Sequence, residues 1–96
     1  MDCLRWLEEW YLSQCDGQWE HAYGVKIDTL DNPGWAVSID LVGTAASGAA
    51  MQPLLSSMGE QGWVRCEVRD GVFSGHGDPR KLTFILETFR KLVEKP

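Results

Sequence analysis

Leu4, Leu7, Trp10 and Tyr11 recur at three- and four-residue intervals near the start of the chain. Cys3 and Trp6 widen that side, while Arg5, Glu8, Glu9 and Ser13 fill the remainder. This spacing predicts an amphipathic helix over about 2–15. Asp2 is placed to cap its first turn, and Asp16-Gly17 to end it. From Val25 the period shortens to two. Val25, Ile27 and Thr29 alternate with Lys26, Asp28 and Leu30, and Trp35, Val37, Ile39 and Leu41 alternate with Ala36, Ser38, Asp40 and Val42. Such alternation marks half-buried antiparallel strands. Asn32-Pro33-Gly34-Trp35 between them suits a type II turn, with Pro setting φ and Gly supplying a positive φ.

Further on, Val64, Cys66 and Val68 alternate with Trp63, Arg65, Glu67 and Arg69, then Asp70-Gly71 signals a hairpin and 72–75 a short returning strand. Asp78-Pro79 has the form of a helix start. Leu82, Ile85, Leu86, Phe89, Leu92 and Val93 then trace one apolar stripe, with Arg90 and Lys91 near its end. Residues 43–59 are ambiguous. The run Thr44-Ala45-Ala46-Ser47-Gly48-Ala49-Ala50 has no bulky side chain to anchor it; a weak strand, a short helix and a mobile loop all fit, and the small side chains favour the loop. The element order is α-β-β-(β)-β-β-α. It predicts an α+β fold, an antiparallel meander of four to five strands flanked by N- and C-terminal helices. At this length, residues 1–96 form a single domain.

Charge changes the picture by where it lies. Residues 1–60 hold nine acidic and two basic side chains, and residues 61–96 hold five acidic and seven basic. Phosphate contacts need Lys and Arg, so nucleic-acid binding through the first half is disfavoured, whereas basic protein partners are favoured. No basic leader and no run of about 18 apolar residues is present, so neither a signal peptide nor a membrane span is expected. Cys3, Cys15 and Cys66 lack metal-site spacing and read as free thiols of a cytoplasmic protein.

Five tryptophans are many for this length. Trp6 and Trp10, one helical turn apart, are expected to pack against the sheet. Trp19 in a loop and Trp63 among outward-facing charges are candidate partner anchors. Asp16, Glu20 and His21 lie close together and could bind a metal or act as an acid–base pair, though their spacing matches no ligand motif, and Glu20 bonding exposed backbone or pairing with an Arg is the better reading. His76 sits in a Gly-rich stretch that reads as a helix-capping turn, because Asp78 would repel a phosphate. Ser56, Ser57 and Cys66 have no surroundings suited to a nucleophile. Lys26, Asp28, Asp40, Arg65, Glu67 and Arg69 would form cross-strand charge pairs on an open sheet face.

Several of these residues together resemble the immunity protein 53 family of bacterial polymorphic toxin systems. The matching features are Trp6-Leu7 with Trp10-Tyr11, then Cys15-Asp16-Gly17-x-Trp19-Glu20-His21 with Gly24, and Thr29 through Trp35. Ile39-Asp40-Leu41, Gly43-Thr44, Trp63-x-x-Cys66, Phe73-x-Gly75-x-Gly77-Asp78-Pro79 and Leu82 through Phe89 continue the match. The resemblance implies a small cytoplasmic protein that binds and neutralises a cognate toxin, with no enzymatic activity and no cofactor. Acidic groups of such proteins commonly face basic nuclease clefts, so Glu20, Asp28, Asp31 and Asp40, with Trp19 and Trp63, are the expected partner-binding residues. No nucleic-acid or membrane partner is expected, and the chain would be a monomer or weak homodimer. The alternatives are a small metal-dependent enzyme or metal-binding module using Asp16, Glu20 and His21, or a homodimeric scaffold paired through a sheet edge.

Overall fold

A computed structural model describes residues 2–57 and 62–94; residues 58 and 59, at the end of the ambiguous stretch, lie outside the described residues. The first element is helix α1, Cys3–Gln14. Asp2 caps it as expected, its carboxylate accepting from the Leu4 N–H at 3.0 Å. A short helix α2, Trp19–Ala22, follows where a loop is expected. Strands β1, Val25–Leu30, and β2, Gly34–Asp40, form the first hairpin. Strand β3, Leu54–Ser57, is the optional fifth strand, and β4, Trp63–Arg69, and β5, Val72–Gly77, precede helix α3, Leu82–Val93.

All five strands form one antiparallel sheet in the order β1-β2-β5-β4-β3. The class is α+β. The neighbours are not in chain order, however: β5 inserts beside β2, and β3 lies at the far edge. The chain makes this crossing through residues 41–53. That segment is a run of reverse turns, not a loose loop. Thr44 N–H donates to the Leu41 carbonyl, Ser47 N–H to Thr44 and Ala49 N–H to Ala46. The buried Thr44 hydroxyl also donates to the Leu41 carbonyl and accepts from the Ala46 N–H.

Two turns divide the expectations. Asp70 and Gly71 both have positive φ, 53° and 76°, the geometry of the tight hairpin that Asp-Gly signals. The turn at Asn32-Pro33 is not type II. The peptide bond is cis, and Gly34 does not adopt positive φ. Gly34 serves for space instead, since a Cβ there would run into the Gly77 carbonyl oxygen of β5.

Both helices cover the same face of the sheet. Val37, Ile39, Val64, Cys66 and Phe73 from the strands meet Ile85, Leu86 and Phe89 of α3, all buried. The helix lies close to β5 because that strand carries glycine where its side chains would point at α3. A Cβ on Gly75 would collide with Ile85 Cγ2, and one on Gly77 would come within 2.7 Å of Lys81 Cβ. This explains Gly75-His76-Gly77, which belongs to strand β5 and not to a capping turn. The helix also starts later than Asp78-Pro79 suggests, at Leu82. Asp78 instead ties strand to turn, its carboxylate accepting from the N–H groups of Trp63 and Arg80, each at 2.8 Å.

Helix α1 packs chiefly on α3, where Trp6 and Trp10 meet Phe89 within the core that also holds the inward side chains of the sheet. The Trp10 and Phe89 rings stand nearly perpendicular with centroids 4.9 Å apart, and Trp6 lies edge-on to Phe89 at 5.9 Å. Such pairs contribute about 0.5–1.5 kcal/mol beyond the area they bury. The Arg90 guanidinium lies over the Trp6 ring at 5.5 Å.

Candidate functional site

The α1–α2–β1 end of the molecule carries the acidic surplus. Residues 2–40 hold eight carboxylates against Arg5 and Lys26. Their placement separates those that shape the fold from those left exposed. Asp16 and Glu20 build the start of α2. Asp16 Oδ1 accepts from the N–H groups of Trp19 and Gln18, each at 2.9 Å. The Glu20 carboxylate reaches back to the N–H groups of Asp16 and Gly17, also at 2.9 Å. Two carboxylates thus satisfy four backbone donors in a reciprocal cap. These amides, that of Trp19 foremost, hold Asp16 below the usual carboxylate range. Glu20 is lowered likewise by its own N–H and by those of Asp16 and Gly17.

The same cap engages two of the three side chains of the metal option, Asp16 and Glu20, with backbone amides. His21 is exposed on α2. Among the described residues, no group of three or more His, Cys, Asp or Glu side chains is gathered so as to hold a metal ion.

Trp19 is interior, which corrects its expected outward placement. It is 5% exposed and donates its indole N–H to the Val42 carbonyl at 2.8 Å. Trp10, Tyr11 and Tyr23 surround it with centroids 6.0–6.3 Å away. The capping turn at 16–20 is what swings its ring inward. Asp40 is also engaged: its carboxylate accepts from the Gly24 N–H at 2.9 Å and fastens the start of β1 to the end of β2. Asp28 and Asp31 remain exposed, on β1 and in the following turn. Trp63 is half-buried at the start of β4, on the sheet face that no helix covers.

That open face is small at its centre. The register aligns Ala36 with His76 and Arg65, and Ser38 with Ser74 and Glu67. The expected cross-strand charge pairs do not form. Among the described residues, the one ion pair on this face is Arg65–Glu67 within β4, at 3.6 Å, with the Arg65 side chain exposed and that of Glu67 half-buried. A pair of this kind contributes little. Cys66, on the covered face, is fully buried, and burial pushes its thiol up to about 11, so it is no nucleophile at neutral pH.

An apolar groove lies between α1 and the edge strand β1, a feature the sequence reading missed. It encloses about 510 Å³ and is lined by Leu4, Leu7 and Tyr11 of α1 and by Tyr23, Val25 and Ile27, with Glu8 at its rim. Leu4, Tyr11 and Tyr23 are 50%, 39% and 38% exposed. The signal was present in the sequence: Leu4 and Tyr11 extend the apolar side of α1 beyond the width needed to cover α3. Residues 4–94 match the family described as Immunity protein 53. The chain belongs to the immunity protein 53 family. Membership implies neutralisation of a toxin by a protein partner of that toxin, and suggests an inhibitor and not an enzyme. No curated protein and no solved structure matches the chain. Among the described residues, no helix is long and apolar enough to cross a membrane.

Proposed function

We propose that this chain acts in the bacterial cytoplasm by binding the toxic domain of a polymorphic toxin and blocking it, with a nuclease as the target class. Membership of the immunity family over residues 4–94 carries the reading. The charge distribution supports a basic target, since nucleases present Lys and Arg to phosphate and an acidic surface attracts them at long range. Asp28 and Asp31 are the expected site carboxylates left free of backbone amides, and Trp63 is the indole left partly open. Glu20, Asp40 and Trp19 support the surface from beneath by holding α2 and β1 in place.

The test is co-expression with the toxin domain encoded by the neighbouring reading frame. The chain restores growth and co-purifies with that domain at equal stoichiometry. Replacing Asp28 and Asp31 by Lys weakens binding and flattens its dependence on salt. Growth arrest that persists in the presence of the folded chain would refute the proposal.

A further inference from the structure

The edge of the sheet beside the groove has unused backbone. Asp40 N–H donates to the Gly24 carbonyl at 3.1 Å, which makes Gly24 and Asp40 a hydrogen-bonded pair of the antiparallel ladder. Such pairs recur every second residue. Lys26, Asp28 and Leu30 therefore direct their N–H and C=O groups to β2. Val25, Ile27 and Thr29 direct theirs away from the sheet. Strand β1 ends the sheet on this side, so among the described residues those groups meet no strand. The side chains of Val25 and Ile27 also line the groove, with Leu4, Tyr11 and Tyr23 across from them. A row of free backbone donors and acceptors thus runs alongside an apolar trench.

We infer that β1 receives an extended segment of the toxin as a sixth strand, one that alternates apolar side chains into the α1–β1 groove with Lys or Arg toward solvent. The inference rests on the immunity reading and adds to Asp28 and Asp31 a principal contact at the sheet edge beside them. Strand addition supplies affinity through main-chain hydrogen bonds and specificity through pockets for alternate side chains. Charge selects the occupant. The groove belongs to the end of the molecule where residues 2–40 hold eight carboxylates against two cations, with Glu8 on its rim. A second copy of this chain paired through its own β1 would bring two such ends together, and like charges in apposition disfavour that dimer. A basic strand gains on both counts. Among the described residues the opposite edge, β3, offers four residues against the six of β1.

Amide hydrogen exchange on the unmodified chain, alone and with the neighbouring toxin domain bound, reads the contact directly. In the free chain the amides of Val25, Ile27 and Thr29 exchange quickly, and in the complex they slow by at least tenfold. Thr29→Pro removes one outward donor at an exposed edge position, where proline is tolerated. Leu4→Gln makes a half-exposed groove residue polar while keeping a good helix former. Each lowers toxin affinity at least tenfold with an unchanged unfolding midpoint, and Ser74→Arg on the open sheet face leaves affinity as it was. If the toxin binds but these three amides stay fast and Ser74→Arg abolishes binding, the open face is the site and the inference is overturned. Concentration-dependent dimers in sedimentation that vanish with Thr29→Pro would assign the edge to a second copy and overturn it as well. Absence of any toxin binding by the wild-type chain would instead defeat the immunity reading on which it rests.

Discussion

Replacing Trp19 separates an interior role from a partner-anchoring one. The indole is 5% exposed, donates to the Val42 carbonyl at 2.8 Å, and has Trp10 nearly perpendicular at 6.2 Å. Truncation to Ala removes the whole ring and leaves a cavity beneath α2, which costs about 3–5 kcal/mol. A domain of this size has roughly 5–15 kcal/mol of total stability, so the Ala variant is at or near the edge of folding. Trp19→Phe is the more informative change. It keeps an aromatic filling between Trp10 and Tyr23 and loses the indole N–H. Val42 is 43% exposed, so water can reach the freed carbonyl. The loss then stays near that of an ordinary net hydrogen bond, about 0.5–1.5 kcal/mol, plus a smaller packing loss. At about 4–8 °C per kcal/mol for a small domain, the hydrogen-bond loss alone lowers Tm by roughly 2–12 °C. Urea unfolding followed by circular dichroism measures the stability, and titration with the toxin domain well below Tm measures affinity. The expected result is lowered stability with affinity within about twofold of wild type. A Trp19→Phe protein as stable as wild type but unable to bind toxin would refute the interior assignment.

Gly75→Ala drives a Cβ into Ile85 Cγ2 and destabilises by about 1–3 kcal/mol through overpacking. In an Ile85→Ala background the same change costs nothing or stabilises, because the obstructing methyl is gone; equal costs in both backgrounds, read from a double-mutant cycle in urea, would contradict the close helix–strand approach. Asp78 is held down to about 2 by the Lys81 ammonium, which it meets at 2.9 Å, and by the amides of Arg80 and Trp63. A depressed carboxylate contributes stability that is complete above its unfolded value of about 3.9 and is lost as pH falls through about 2. The stability gap between wild type and Asp78→Asn is therefore constant above about pH 5 and closes between about pH 4 and 2. A gap independent of pH in urea titrations across that range would show that Asp78 is not so held.

Some elements were legible because their causes are local. The apolar spacing of Leu4, Leu7 and Trp10, the eight-position alternation from Trp35, the Asp-Gly hairpin and the stripe from Leu82 to Val93 each express a period or a turn preference within a few residues. All four stand in the structure. The capping interaction at Asp2 was equally readable, since donor and acceptor lie two residues apart. The order of residues also carried the family, because a profile of spaced Trp, Gly and acidic positions survives without any knowledge of contacts.

The long-range pairings were decided elsewhere. Placing β5 beside β2 requires β3 and β4 to pass to the far side, and no local preference encodes that crossing. The reason for Gly75 and Gly77 is an approaching helix some ten residues onward, so the pair read as a turn until α3 lay across it. Glu20 was open to bonding nearby backbone, as its two bonds to the Asp16 and Gly17 amides show, whereas Asp40 read as a cross-strand charge and is engaged by the Gly24 amide that only folding brings within 2.9 Å. Trp19 looked exposed for the same reason: the turn that swings it inward is closed by Glu20. Composition and periodicity thus set which elements form and the sign of the surface. Tertiary packing chose which of the acidic and aromatic side chains remain available to a partner, because availability depends on what else reaches the same atoms.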